Sequence, residues 1–139
     1  MNDSWNLDRF VEAQNPVYHQ VCSELKQGRK ISHWIWFIFP QIAGLGHSPM
    51  AKRFALSSLE EAKKYFDHLV LGMRLKECTR LVNGIEGSSV QEIFGSIDGM
   101  KFRSSMTLFV HATTDNQCFE EALQKYFGGE YDQLTVERI

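Results

Sequence analysis

Apolar residues recur along most of the chain at intervals of three and four, the spacing that buries one face of a helix. Stripes of this kind cover residues 7–11, 18–25, 50–54, 59–66, 71–82, 102–110 and 119–126. Glycines or prolines stand between most of these stripes, where turns are expected. The pattern predicts an all-α fold: a compact multihelical single domain of about six to eight helices over residues 1–139.

Side chains that can accept hydrogen bonds from free backbone N–H groups indicate where helices begin. Ser58 with Glu61, and Ser89 with Glu92, have the three-residue spacing of a capping box. Further helix starts are expected at Asp98 and Asp115. The tail at residues 130–139 is polar with four apolar side chains, and it either packs back onto the domain or frays.

The apolar run at residues 32–39 is ambiguous. Its aromatic and β-branched residues favour a strand, whereas Ser32 is suited to cap a short buried helix. An isolated strand needs partners, and no other convincing alternating run is present in the sequence. The helical neighbours therefore favour a helix.

Composition and charge narrow the classes of function. The chain has 139 residues, of which 43% are hydrophobic and 23% charged, so it is long enough to bury a core without disulfides or a metal. Fifteen Lys and Arg against 17 Asp and Glu give a net charge of −2. Because binding to the phosphate backbone requires a positive field, no nucleic-acid partner is expected.

Secretion and membrane insertion are not predicted either. The first ten residues, MNDSWNLDRF, lack the apolar core of a secretory signal. The longest apolar run, residues 34–39, is far shorter than the ~20 residues of a membrane span. Cys22, Cys78 and Cys118 form no Cys-x-x-Cys pair and predict inert thiols in a reducing compartment. We expect a cytoplasmic monomer that carries no metal and no cofactor.

Candidate binding residues lie in the aromatic run. On a helix, Trp34 and Trp36 occupy different faces, so one of them can stack on a planar ligand. The alternative is that both tryptophans belong to the core. Histidine exchanges protons near neutral pH, which makes His33 the acid–base candidate, with a purely structural hydrogen bond as its alternative.

A polar stripe accompanies the apolar residues of the helix expected over 102–110. It contains Lys101, Ser104, Ser105 and His111, with Arg103 at its flank. A solvated face is the simplest interpretation. Serines are weak helix formers, however, so two of them beside basic residues indicate buried hydrogen-bond partners and the wall of a pocket.

Five segments taken together resemble a bacterial family called domain of unknown function 1810: LDRFVEAQNPVY, GRKISHWIWFIFPQIAGLGHSPMA, SLEEA, IFGSIDGMKFRSSMTLF and YFGG. The most specific parts are the His-Trp-x-Trp-Phe-x-Phe-Pro-Gln block at 33–41 and the Lys-x-Arg-Ser-Ser-x-Thr-Leu-Phe block at 101–109. The resemblance implies a compact multihelical domain and favours a helix at residues 32–39. Some members are called calpastatin-like, but calpastatin is largely disordered and the aromatic core expected here does not fit it.

The two blocks predict a pocket where residues 33–41 meet residues 101–109, binding a small anionic, nucleotide-like ligand with a planar ring. Trp34 or Trp36 stacks on the ring, and Ser104 with Gln41 fixes its orientation. The expected anion-binding residues are Arg29, Lys30, Lys101 and Arg103.

Two classes of function remain open. By analogy with helical proteins that act on nicotinamide-nucleotide and ADP-ribose derivatives, the ligand is cleaved at an N-ribosidic bond. The alternative is a regulatory or protein-interaction domain without enzymatic activity, in which the aromatic block belongs mainly to the core.

Overall fold

The computed structural model describes residues 3–139 and confirms the all-α class. In that part of the chain, nine helical segments follow one another: α1 (Asp8–Gln14), α2 (Tyr18–Lys26), α3 (Ile35–Ile38), α4 (Pro49–Arg53), α5 (Leu59–Asp67), α6 (Leu69–Asn83), α7 (Val90–Ala112), α8 (Gln117–Phe127) and α9 (Gln133–Val136). Met1 and Asn2, which begin the segment expected to lack a secretory signal, lie outside the described residues.

The predicted capping boxes mark true helix starts. Ser89 and Glu92 form a complete box at the start of α7, with each side chain accepting from the backbone N–H of the other residue. Ser58 caps α5 by accepting from the backbone N–H of Glu61 at 3.1 Å. The Glu61 carboxylate accepts from the backbone N–H of Ser57 at 2.7 Å, instead of that of Ser58, and from Arg9 at 3.2 Å, so only half of this second box forms.

The caps expected at Asp98 and Asp115 are wrong. Asp98 lies inside α7, because that helix already begins at Val90, and its carboxylate pairs with Lys30 Nζ at 2.7 Å. Asp115 precedes α8 and pairs with Lys76 at 3.2 Å. In both places the local sequence pattern predicts a capping carboxylate. The carboxylate instead forms an ion pair with a lysine from another part of the fold.

The helix expected over residues 32–39 is wrong for its first half. Only the single turn α3 is helical, and it starts after Trp34 without a side-chain cap. The hydroxyl of Ser32 donates instead to the carboxylate of Glu24 on α2. This long-range bond outweighs local capping, because it satisfies a buried charge.

Helix α7 occupies the centre of the fold and packs against α3, α5, α8 and α9, while α6 packs against α2, α5 and α8. At the contact between α3 and α7, the ring of Phe102 lies 4.9 Å from that of Phe39 and 4.8 Å from that of Phe94. Among residues 3–139, β-type pairing is confined to a parallel bridge between Ile42 and Leu56. No helix of this part of the chain is long and apolar enough to cross a membrane.

Helix α7 is broken at Gly95, whose φ of 82° and ψ of 169° lie in a region that is essentially restricted to glycine. The break interrupts the helical hydrogen bonds and leaves the carbonyl of Ile93 able to accept from the backbone N–H of Lys30 at 2.8 Å. The kink thereby attaches the segment before α3 to α7.

Replacing Gly95 with alanine is expected to lower the free energy of unfolding by about 1–3 kcal/mol. A Cβ atom at this position meets nothing within 4 Å, so the loss comes from the backbone conformation alone. Gly99→Ala is the matched control on the same helix: its φ is not positive and its Cβ makes ordinary contacts, so it should be neutral or stabilising. Urea denaturation of both variants measures the difference, and equal effects would contradict the backbone explanation.

Candidate functional site

The two sequence blocks lie against each other through the contact of α3 with α7. On the buried side, the ring of Phe39 meets the ring of Phe102 edge to face. On the outer side, Lys101 Nζ lies 5.4 Å from the centre of the Trp36 ring, within the range of a cation–π contact. Aromatic rings therefore line the buried side of the junction, and a lysine ammonium group lies on its outer side.

The segment that leads into α3 is organised by one buried carboxylate, that of Glu24. Its Oε1 accepts from the backbone N–H groups of Ile31 and Ser32, at 2.7 and 2.9 Å, and from the indole N–H of Trp34 at 2.9 Å. Its Oε2 accepts from Ser32 Oγ and, at 3.0 Å, from Gln20. Ile31, Ser32 and Trp34 thus all donate hydrogen bonds to one negatively charged carboxylate.

These hydrogen bonds control the ionisation of Glu24. Burial by itself would raise the pKa of the carboxyl group, because it disfavours the charged form. The donors from Ser32, Ile31 and Gln20 outweigh burial and hold the pKa at about 2. Glu24 is therefore a stable anion at neutral pH, and Trp34 is held in the interior with only 1% of its surface exposed.

Asp98 on α7 connects two of the predicted cationic residues. Its Oδ2 lies 2.7 Å from Lys30 Nζ, and its Oδ1 lies 3.9 Å from Lys101 Nζ. Lys30 also donates to the carbonyl of Ser32 at 2.7 Å and lies over the Trp34 ring. The structure thus brings Lys30, Lys101 and Trp36 to one place, where the Asp98 carboxylate lies between the two ammonium groups.

Three buried side-chain polar atoms have no hydrogen-bond partner among residues 3–139: Trp36 Nε1 at this junction, Ser105 Oγ on α7 and Asn83 Oδ1 on α6. Ser105 follows Lys101 by one helical turn and so lies on the same face of α7. Most buried polar groups in folded proteins are hydrogen-bonded, so the exceptions at Trp36 and Ser105 single out these two residues within the predicted site.

Arg103 and Ser104 face a different part of the molecule, the C-terminal segment. Arg103 donates to the backbone carbonyls of Glu130 and Tyr131, each at 3.1 Å. Ser104 Oγ donates to the carboxylate of Asp132 at 2.9 Å, which holds α9 against α7. Of the two outcomes predicted for the tail, the structure shows packing, and these two residues are engaged in it.

The remaining predicted residues lie nearer the surface. Arg29 is exposed just before the segment that Glu24 organises, and His33 is exposed within that segment. Gln41 is half-buried, and its backbone carbonyl accepts from the N–H of Leu56 at 2.9 Å. No contact in the structure joins the side chain of Gln41 to Ser104, the residue expected to act with it.

Three features of the site were not predicted from the sequence. They are the buried, hydrogen-bonded carboxylate of Glu24, the ion pairs of Asp98 with two lysines, and the unpartnered hydroxyl of Ser105. The signal for Glu24 was present, since this glutamate stands between Val21 and Leu25 on the apolar face of α2. A carboxylate on such a face indicates a buried partner. Nothing in the local sequence identifies that partner, because it follows after a turn.

A metal site is not apparent in the described part of the chain. Among residues 3–139, no three His, Cys, Asp or Glu side chains are grouped so that they could hold a metal ion. The polar groups at the junction are the ammonium groups of Lys30 and Lys101, the carboxylate of Asp98 and the indole N–H of Trp36.

The structure defines a small all-α domain in which two sequence blocks form one polar junction. The chain belongs to the family described as "Protein of unknown function (DUF1810)", whose model matches residues 4–139. It is similar to the conserved hypothetical protein Rv1873 from Mycobacterium tuberculosis, whose crystal structure superimposes with a TM-score of 0.96. That protein is 56% identical, and the match covers 97% of this chain and 96% of the other. None of the curated proteins matches the chain.

Proposed function

We propose that this protein binds a small anionic ligand with a planar ring, of the nucleotide type, where residues 33–41 meet residues 101–109. The observation that carries the proposal is the buried, unpartnered indole Nε1 of Trp36, whose ring centre lies 5.4 Å from Lys101 Nζ, with the unpartnered Ser105 Oγ one helical turn further along α7. Leaving such atoms without partners is unfavourable unless a bound molecule supplies the missing hydrogen bonds.

The hydrogen-bond donors at the junction indicate which charge the ligand carries. An indole N–H and an ammonium group can only donate hydrogen bonds, whereas a serine hydroxyl can donate or accept. A group that satisfies Trp36, Lys101 and Ser105 together must be rich in acceptors, as phosphate and carboxylate are. Of the two lysines that share Asp98, Lys101 is the one that lies over the Trp36 ring, 5.4 Å from its centre.

Apolar surface at the same junction supports a ring in the ligand. Ile97 precedes Lys101 by one helical turn on the same face of α7 and is 72% exposed. Trp36 contributes an aromatic ring that is half-buried. A planar ring placed against these two side chains would remove apolar surface from water.

Lys101→Ala is expected to remove most of the stabilisation that the ligand confers. The experiment is thermal unfolding with nucleotides, NAD derivatives, sugar phosphates and simple anions. A ligand at 100 times its Kd stabilises the protein by about 2.7 kcal/mol. Loss of one charged hydrogen bond weakens binding roughly 10- to 100-fold, so the variant should keep about half of this stabilisation or less at the same concentration.

Lys76→Ala is the matched control. Like Lys101, Lys76 lies over an aromatic ring, that of Phe66 at 5.5 Å, and pairs with an aspartate, Asp115. Its removal should leave ligand-induced stabilisation unchanged. Equal losses in both variants, or no stabilisation of the wild-type protein by any compound, would defeat the proposal.

Ser105→Ala separates binding from folding in the same experiment. Because Ser105 Oγ is buried without a partner, its removal should leave the ligand-free protein equally or more stable. The variant should nevertheless respond less to the ligand. A purely structural serine would show the opposite pattern, with lower stability and an unchanged response.

The more specific form of the proposal is enzymatic. The bound nucleotide is cleaved at its N-ribosidic bond, and His33 is the acid–base group. The exposed position of His33, within the segment that Glu24 holds in place, supports this role. The test is release of free base from a nucleotide that the thermal experiment identifies, with wild-type and His33→Gln proteins compared. This hypothesis depends on the binding step, and it fails alone if the nucleotide binds but is not cleaved.

One observation favours the alternative, a protein-interaction domain. Leu69 and Met73 on α6 are 87% and 60% exposed, and they line a surface groove of about 720 Å³. Exposed apolar side chains beside a groove are typical of interaction surfaces. Lys101→Ala would leave that surface intact, so binding of a protein partner that survives this substitution would support the alternative.

A further inference from the structure

Two cysteines that are far apart in sequence share one polar cluster between α2 and α6. Cys22 Sγ lies 3.9 Å from the Glu77 carboxylate, and Cys78 Sγ donates to the hydroxyl of Tyr18 at 3.7 Å. The Tyr18 hydroxyl in turn donates to the same carboxylate oxygen of Glu77. Each thiol also shifts the pKa of the other. Glu77 and Tyr18 thus connect the two sulfurs in one network.

A small molecule can reach the first of these sulfurs. Cys22 is half-buried and lines a surface cavity of about 360 Å³. The other lining residues of this cavity are His19, Ser23, Lys26 and Gln27. Reactive cysteines occur in partly exposed sites with basic neighbours, and the cavity provides both conditions.

The neighbours of Cys22 favour its thiolate form. The hydrogen bond from the Cys78 thiol, with help from Tyr18 and Lys26, lowers the pKa of Cys22 to about 7. Burial and the carboxylate of Glu77 oppose this shift without cancelling it. A substantial fraction of Cys22 is therefore the nucleophilic thiolate at neutral pH.

The other two cysteines differ from Cys22. The hydrogen bond to Cys22, together with burial, raises the pKa of Cys78, so this buried thiol stays protonated. Burial raises the pKa of Cys118 to about 11, and Cys118 lies on α8, outside the network. Cys22 and Cys78 thus have the complementary properties of an attacking and a resolving thiol.

We propose that Cys22 and Cys78 are a redox-active dithiol that a hydroperoxide oxidises to an intramolecular disulfide. The Cys22 sulfur attacks one peroxide oxygen, the O–O bond breaks, and the other oxygen takes a proton and leaves as water or an alcohol. Cys22 is then a sulfenic acid. The Cys78 sulfur attacks the Cys22 sulfur, the S–O bond breaks, and the hydroxyl leaves as water with the Cys78 proton. Two electrons pass from the thiols to the peroxide.

The same network provides a path for the Cys78 proton. The Cys78 thiol donates to the Tyr18 hydroxyl, which donates to the Glu77 carboxylate. A proton that leaves Cys78 can therefore be passed through Tyr18 to Glu77 and from there to the departing hydroxyl. Tyr18 is in this sense a positioning residue, and the Tyr18→Phe variant should close the disulfide more slowly and accumulate the sulfenic acid.

The experiment treats the folded full-length protein with hydrogen peroxide and maps its cysteines by mass spectrometry without reduction. We expect a peptide pair cross-linked through Cys22 and Cys78 that dithiothreitol reverses, with Cys118 still a free thiol. In Cys78→Ser, a sulfenic-acid probe such as dimedone should label Cys22. Cys118→Ser is the matched control and should behave like the wild-type protein.

A measurement on the unmodified wild-type chain keeps the test independent of how well the variants fold. Iodoacetamide should alkylate Cys22 in the folded, reduced protein at least about tenfold faster than Cys118. Equal alkylation rates, oxidation of Cys118 alongside Cys22, or disulfides only between molecules would overturn the proposal. None of these outcomes bears on ligand binding at the junction.

Discussion

Replacing Glu24 with alanine is expected to lower the free energy of unfolding by about 3–5 kcal/mol, the loss typical of breaking a buried charged network. The substitution leaves the backbone N–H groups of Ile31 and Ser32 and the indole N–H of Trp34 without their acceptor. Urea denaturation at pH 7 measures the loss. Glu12→Ala, on the exposed surface of α1, is the control and should change stability by no more than about 0.5 kcal/mol.

The pH dependence of stability provides a second signature of Glu24. Its pKa in the folded protein is about 2, against an ordinary value of 4.5. A depressed pKa stabilises the folded state above the ordinary value, and that contribution disappears as the pH falls toward 2. A shift of this size corresponds to about 3 kcal/mol. Glu24→Gln should lose this component, and an unchanged acid-unfolding profile would show that the carboxylate does not anchor the segment.

Phe102→Ala is expected to destabilise the protein by about 3–5 kcal/mol, because it removes a fully buried ring from the centre of the core. Phe102 contacts the rings of Phe39 and Phe94 at less than 5 Å and lies 6.3 Å from the ring of Phe127. Its loss leaves a cavity where α3 meets α7. Thermal or urea unfolding measures the effect.

The control for this cavity is Phe127→Ala. Phe127 is half-buried at the edge of the same aromatic cluster, so its truncation removes less buried surface and should cost roughly half as much. A larger loss for Phe127→Ala than for Phe102→Ala would mean that the centre of the core lies elsewhere.

Much of the fold follows from local patterns. The apolar stripes identify the longer helices, and Ser89 with Glu92 marks the start of α7 correctly, because a capping box depends only on residues three apart. Asp98 and Asp115 show the limit of the same reasoning. Each is a good cap by residue type, but each pairs with a lysine from a distant part of the chain.

The candidate site was predictable only in outline. The sequence indicated that residues 33–41 and 101–109 meet, and they do. It did not separate the roles of the two tryptophans: Trp34 donates to Glu24 in the interior, whereas Trp36 lies beside Lys101. Their environments differ because a short turn, rather than a regular helix, precedes α3.

The cysteines illustrate the same limit. Each of the three thiols lies on or near an apolar stripe, which predicts inert side chains. The packing of α2 against α6 brings Cys22 and Cys78 together with Tyr18 and Glu77. No spacing of residues in the sequence predicts this cluster.

The sequence by itself determined the helical class and most helix positions, because the periodicity of apolar residues and the chemistry of helix starts act over a few residues. Tertiary structure alone decided which polar side chains are buried and which remain without partners. Burial makes each carboxylate, lysine or hydroxyl depend on the partner that packing supplies. For Lys101, that environment includes Trp36, which is far away along the chain.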